Sequence, residues 1–107
     1  MHSRASVHYP AMSSASSLSL VIPVYLNEGS VPQLLAELSR LTPQLGTGFE
    51  VVFVVDGSPD RSAEILQASL PGQPHASQLL YLSRNFGSFA AIRAGLDAAS
   101  NPLAAVM

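Results

Sequence analysis

Apolar residues along this chain gather into short runs, and the spacing within the runs switches between strand-like and helical. Leu18 to Val24 is rich in β-formers and closes on Pro23-Val24-Tyr25. Ser30-Val31-Pro32-Gln33 then offers a capping box, with Ser30 at the N-cap and Gln33 three residues on. Pro32 falls in the first turn, where its missing N–H costs little. Val31, Leu34, Leu35, Leu38 and Leu41 follow at helical spacing, Pro43 predicts the stop, and Gly46 to Gly48 make a connecting loop. Glu50 to Val55 is a continuous apolar strand of the kind expected when both sheet faces are covered. Asp56-Gly57-Ser58-Pro59-Asp60 is a turn from which Ser58 or Asp60 can cap a helix carrying Ile65, Leu66 and Leu70, ended by Pro71-Gly72. A third strand is predicted over Gln78 to Leu82, a loop over Ser83 to Gly87, and a third helix lined by Phe89, Ile92 and Leu96. Asn101-Pro102 stops that helix, and Leu103 to Met107 begins a fourth strand.

The order β-α-β-α-β-α-β with short connections predicts an α/β fold: a Rossmann-like parallel sheet with right-handed crossovers and flanking helices. Residues 1–17, rich in Ser, Ala and His with no apolar h-region, are expected to be a disordered leader. Residues 18–107 are the structured part, and a sheet that ends on a short fourth strand leaves an open edge.

Ligands of open parallel sheets bind outside the carboxyl ends of the strands. The unusual polar residues fall at three such ends: Tyr25, Asn27 and Glu28; Asp56, Gly57 and Ser58; Ser83, Arg84, Asn85 and Gly87. Together they supply a ring for stacking, acceptors and one strong cation, a mixture suited to base, ribose and phosphate. Singly, each has a plainer explanation. Asp56-Gly57-Ser58 suffices as turn chemistry, Glu28 as a loop acid near a helix N-terminus, and Arg84 as a surface residue. A dinucleotide site would need G-x-G-x-x-G after the first strand, where Pro23-Val24-Tyr25-Leu26-Asn27-Glu28 stands instead. A P-loop would need a lysine, and the chain has none.

Composition narrows the field further. Of 107 residues 48% are hydrophobic and 11% charged, which is core-forming and opposite to a disordered chain. The net charge of −2, with scattered arginines, excludes a nucleic-acid footprint. Without cysteine there is neither disulfide nor thiolate chemistry. His2, His8 and His75 show no ligand spacing, and no apolar run approaches the ~20 residues that span a bilayer.

Three stretches carry a resemblance. Val21-Ile22-Pro23-Val24-Tyr25-Leu26-Asn27-Glu28, then Val54-Val55-Asp56-Gly57-Ser58-Pro59-Asp60-Arg61-Ser62, then Ser83-Arg84-Asn85-Phe86-Gly87 with Ala91 and Ala94-Gly95-Leu96 resemble the family 2 glycosyltransferases of GT-A fold. The third stretch is similar to the branch of dolichyl-phosphate mannose synthase and bacterial polyprenyl-phosphate glycosyltransferases. The resemblance implies transfer of a sugar from a UDP- or GDP-linked donor to an acceptor, with a polyprenyl phosphate as the lipid candidate. It implies a nucleotide site of Pro23, Tyr25, Glu28, Asp56, Gly57, Ser58 and Arg84. There Tyr25 packs near the base, Glu28 accepts from base or ribose, Asp56 bonds the base, and Arg84 meets a phosphate or orders its loop.

Two departures stand out. Val55 occupies the place of the first acid of the usual Asp-Asp-Gly-Ser, and Leu26 lengthens the usual Pro-x-Tyr-Asn-Glu by one residue. The resemblance also implies Mg or Mn for the full-length enzyme, held by an Asp-x-Asp motif after the fourth strand, beyond Met107. The chain is therefore expected to hold the nucleotide without turnover of its own, in the cytoplasm or at the cytosolic face of a membrane. The alternative is a catalytically inactive remnant acting as a nucleotide-binding or interaction module. A response-regulator-like domain would need paired acids after the first strand and a lysine, and has neither.

Overall fold

The computed structural model of the chain describes residues 4–9, 18–45, 49–101 and 103–107. Its elements run β1 (Arg4–Tyr9), β2 (Leu18–Val24), α1 (Val31–Leu45), β3 (Glu50–Asp56), α2 (Ser62–Ser69) with a 3-10 turn at Leu70–Gly72, β4 (Ala76–Leu82), α3 (Ser88–Ala98) and β5 (Leu103–Val106). They form one sheet of order β1-β4-β3-β2-β5. β2, β3, β4 and β5 are mutually parallel, and β1 runs antiparallel along β4, pairing Arg4 with Leu82 and Tyr9 with Ser77. This is the Rossmann-like α/β arrangement expected from the sequence.

Strand alternation sorts the core into two layers. On one face Ile22, Val24, Val51, Phe53, Val55 and Leu79 meet Val31, Leu35 and Leu38 of α1, Leu66 of α2 and Leu70. On the other, Val21, Val52, Val54, Leu80 and Leu82 meet Ala91 and Ala94 of α3. β3 is buried along its whole length, as a central strand covered on both sides must be. Each fully buried aliphatic or aromatic side chain here contributes about 1.5–3 kcal/mol of transfer free energy. Exposed pairs such as Arg61–Glu64, at 3.4 Å, contribute at most about 0.5 kcal/mol.

Pro23 sits in a strand with neighbours on both sides, a place where proline normally removes a ladder bond. The Val21 carbonyl accepts from the Met107 N–H at 3.0 Å, so the odd residues of β2 turn their backbone groups toward β5. The β2–β5 ladder ends at Val21 and Val106, and the missing N–H of Pro23 therefore faces a side with no described partner strand.

Five expectations need correction. The leader expected over 1–17 supplies β1 at Arg4–Tyr9, which is satisfied by backbone pairing to the β4 edge rather than by a buried side-chain stripe. Its remaining residues, and the Gly46–Gly48 loop, lie outside the described residues. Pro43 lies inside α1, which continues for two residues to Leu45, so the proline falls in the last turn, where few bonds remain to be lost; the Thr42 hydroxyl donates to the Leu38 carbonyl there at 2.7 Å. The Ser30 hydroxyl donates back to the Asn27 carbonyl at 3.2 Å instead of forming the capping box with Gln33. β4 starts at Ala76, two residues before the predicted Gln78. α3 faces the sheet with Ala91, Ala94 and Gly95, while Phe89 is 91% exposed and Leu96 is exposed too.

The last correction has a steric cause. A Cβ on Gly95 would stand 2.3 Å from Val21 Cγ1 and 3.1 Å from Val54 Cγ2. The helix thus lies too close to the sheet for large side chains, and these turn outward. Gly95→Ala is expected to lower stability in denaturant titration. Overpacking by about 1–3 kcal/mol exceeds the gain of up to about 1 kcal/mol in helix propensity.

A polar layer lies beneath this face. Ser19 Oγ donates to Glu50 Oε1 (2.6 Å), Gln78 Nε2 to Glu50 Oε2 (3.0 Å), and the Ser100 N–H to Glu50 Oε1 (3.0 Å). Burial alone would raise the Glu50 pKa, but these bonds outweigh it and hold the carboxyl below its ordinary value. On the opposite face His75 is 1% exposed, its Nδ1 near Ser77 Oγ (2.9 Å) and its ring edge-on to Phe49. Desolvation depresses its pKa below the ordinary value. Both shifts have the same sign for stability: in each window the unfolded chain binds more protons than the fold. Stability is thus expected to fall in two stages on acidification. The first begins below pH 6.5 as His75 of the unfolded chain protonates, and the second below 4.5 as Glu50 does. Denaturant midpoints measured from pH 7.5 to 4 should lose the first stage in His75→Gln.

Candidate nucleotide site at the strand ends

The loops after β2, β3 and β4 leave neighbouring strands at the same sheet edge. The first is a lip, Tyr25 to Glu28, whose four consecutive backbone N–H groups are all taken by side-chain oxygens. Tyr25 N donates to Asn27 Oδ1 (2.7 Å), Leu26 N to Ser58 Oγ (2.8 Å), Asn27 N to Ser62 Oγ (3.0 Å) and Glu28 N to Asp60 Oδ2 (3.0 Å). Two of these four acceptors, Ser58 and Asp60, belong to the loop after β3, and a third, Ser62, opens α2. Leu26 adopts a left-handed conformation, φ 57°, which costs a non-glycine residue roughly 1–2 kcal/mol.

Asp60 is the hub of this contact. Its Oδ1 accepts from Ser58 Oγ (2.5 Å) and Ser62 N (3.1 Å), while Oδ2 holds the lip. Desolvation would raise its pKa, yet the bonds from Ser58, Ser62 and Glu28 outweigh it and hold the carboxyl well below the usual carboxylate range. In return the Glu28 carboxylate meets the Arg61 N–H at 3.4 Å.

Asp56 ties the second loop to the third. Its Oδ1 accepts from Phe86 N (2.9 Å) and its Oδ2 from Gly87 N (3.1 Å), at the entry to α3, where a carboxylate also complements the helix dipole. Asp56 is only 3% exposed. Gly57 is needed twice over. Its φ is +64°, and a Cβ there would stand 2.1 Å from the Arg84 carbonyl carbon and 2.3 Å from Asn85 N. The Arg84 guanidinium lies 4.8 Å from the centroid of the Phe86 ring, a cation–π contact that fixes its direction.

The structure thus brings together every residue named from the sequence, though in different relations to solvent. Tyr25, Glu28 and Arg84 are exposed. Pro23, Gly57 and Ser58 are half-buried, and Asp56 is buried with both oxygens occupied. Sequence reasoning missed the part of Asp60 and Ser62 in holding the first loop. Their spacing in Ser58-Pro59-Asp60-Arg61-Ser62 read only as a helix cap, since a bond across 32 residues leaves no local signal.

Asp56 and Asp60 have both oxygens on N–H or O–H donors, and among the described residues no group of three or more His, Asp or Glu could hold a metal. Nor is any described helix long and apolar enough to cross a membrane.

Comparison with known proteins agrees with this architecture. The family model for glycosyl transferase family 2 matches residues 19–107, and the chain belongs to that family. It is similar to an undecaprenyl-phosphate 4-deoxy-4-formamido-L-arabinose transferase of Pseudomonas aeruginosa (strain LESB58), 48% identical over 80 residues that cover 75% of this chain and 24% of the relative. Proteins of the same description from Aeromonas hydrophila and Proteus mirabilis are 37% and 38% identical, over 80% and 82% of this chain and 26% and 27% of theirs. The chain spans about a quarter of the length of the curated relatives it matches. β1 precedes the family match.

Gly57→Ala is expected to cost about 1–3 kcal/mol for the positive φ alone. The backbone clash should also spread the loss to the β4–α3 loop, visible as faster amide exchange at Phe86 and Gly87.

Proposed function

We propose that this chain forms the nucleotide-binding part of a transferase that moves a sugar from a nucleotide-diphosphate sugar to an acceptor, with a polyprenyl phosphate as that acceptor. One observation carries the reading: three polar loops at the carboxyl ends of β2, β3 and β4 are locked to one another and present Tyr25, Glu28 and Arg84 outward. Family membership and the undecaprenyl-phosphate substrates in the names of the relatives support it. In this reading Tyr25 stacks on the base and Glu28 accepts from base or ribose through the oxygen not facing Arg61. Arg84 attracts the diphosphate. Asp56, Gly57 and Ser58 serve the nucleotide through the loops they hold, and Pro23 sets the strand end from which the lip departs.

A divalent ion, where the whole enzyme uses one, would take its ligands from residues other than the carboxylates at this edge. Work at the cytosolic face of a membrane fits a lipid-linked acceptor. The second reading, an interaction module without turnover, draws on the exposed apolar residues Phe89 and Leu96 of α3 and Leu103 and Val106 of β5.

Calorimetric titration of the chain with UDP and GDP, with and without manganese, tests the proposal. Saturable binding of one nucleotide is expected, weakened about tenfold by Tyr25→Ala or by Arg84→Ala. Both side chains are exposed, so the variants leave the fold intact, whereas an Asp56 variant would release α3 as well. No binding by a chain shown to be folded overturns the nucleotide reading and favours the interaction module.

A further inference from the structure

We propose that Asp60 is the positioning residue of the nucleotide lip: with Ser58 and Ser62 it fixes the backbone of Tyr25 to Glu28, and so sets the orientation in which Tyr25 meets the base. The proposal rests on the nucleotide reading above and adds to it a residue that makes no contact with the ligand.

The lip has no ladder to hold it. β2 ends at Val24 and α1 begins at Val31, so the intervening backbone groups need partners from elsewhere. Those of Leu26, Asn27 and Glu28 find them in Ser58 Oγ, Ser62 Oγ and Asp60 Oδ2. The two hydroxyls can serve only if their own hydrogens are directed elsewhere, since a hydroxyl has one proton to donate. The Ser58 hydroxyl donates to Asp60 Oδ1 at 2.5 Å, which turns its lone pairs toward Leu26 N. Ser62 is tied to the same carboxylate by its backbone, the Ser62 N–H donating to Asp60 Oδ1 at 3.1 Å. One carboxylate therefore supports all three bonds, directly for Glu28, through the Ser58 hydroxyl for Leu26, and through the backbone of Ser62 for Asn27.

The same arrangement explains how Leu26 persists at φ 57°. Strain of that kind survives only where the surroundings over-determine it. Here the Leu26 N–H is held from the loop after β3, with the bonds of Tyr25 and Asn27 on either side. A relaxation of Leu26 would displace Asn27, whose Oδ1 holds the Tyr25 N–H, and so loosen the tyrosine. Because all four lip amides are occupied, the lip offers a ligand side chains rather than a backbone cradle. Its orientation is then what decides binding.

The test combines amide exchange with nucleotide titration on the whole chain. In Asp60→Ala the amides of Leu26, Asn27 and Glu28 should lose protection together while those of Val52 and Leu80 keep it. Binding of whichever of UDP and GDP the wild-type chain prefers should weaken about tenfold. Added to Tyr25→Ala, the same change should weaken binding by less than it does alone, because part of its effect passes through Tyr25 and only the rest through Glu28. Ser58→Ala, a milder change, should release Leu26 and reproduce part of the loss if Asp60→Ala does not fold. Loss of protection at Glu28 alone, or full additivity with Tyr25→Ala, overturns the positioning role. Unaltered nucleotide affinity in a variant whose lip has lost protection overturns it as well. Failure of the folded wild-type chain to bind either nucleotide is a different result. It removes the nucleotide reading and the ligand half of this proposal, while the exchange data still decide whether Asp60 holds the lip.

Discussion

Much of the structure depends on one strand that carries a carboxylate at each end. Glu50 opens β3 and Asp56 closes it, and an even spacing along a pleated strand puts both side chains on the same face of the sheet. That face carries α3. Asp56 receives the Phe86 and Gly87 N–H groups where the chain enters the helix, and Glu50 receives the Ser100 N–H where it leaves. Between them Gly95 lets the helix settle against Val21 and Val54. The helix is thus held by charge-assisted bonds at both ends and by close contact in the middle. A small buried interface, mostly alanine and glycine, would not fix its position alone.

That clamp determines what the upper edge can present. With α3 fixed, the loop from β4 is drawn across Gly57, so the second and third loops meet backbone to backbone. The first loop is then tied to the second by the serines and Asp60. Three segments far apart in sequence become one surface, and rigidity at the proposed site follows from bonds that the ligand never touches. Such preorganisation favours binding because less ordering remains to be done when a ligand arrives.

The sequence showed the skeleton because its signals are local. Strand runs, helical spacing and breakers placed β2 from Leu18 to Val24 and β3 from Glu50 to within a residue of its end. Partnerships were less legible. β1 alternates Ala5, Val7 and Tyr9 with polar residues, but Val7 stays exposed and only Tyr9 packs against the core, and what makes the segment a strand is its pairing along β4. The large apolar residues of α3 do not mark its buried face, because here the distance between helix and sheet selects against them. Ala91, Ala94 and Gly95, at spacings of three and four, carried the correct signal in small residues. At the site the residue types were legible and their tasks were not. Asp56 and Asp60 look alike in sequence as loop acids, and only the fold shows that one serves the third loop and the other the first.

This division of labour bears on electrostatics. An edge proposed to hold a diphosphate carries Glu28, Asp56 and Asp60 against Arg84 and an Arg61 that pairs with Glu64, which in bulk terms is the wrong balance. The two aspartates do not act as bare charges, however. Each is surrounded by N–H and O–H donors whose dipoles oppose its field, and Asp56 faces the N-terminal end of α3. Arg84, stacked on Phe86 and exposed, has no carboxylate partner among the described residues. Its charge is therefore the one least compensated by the protein at this edge. The two aspartates act on the scaffold, and the interaction left for an anion is the one with the arginine.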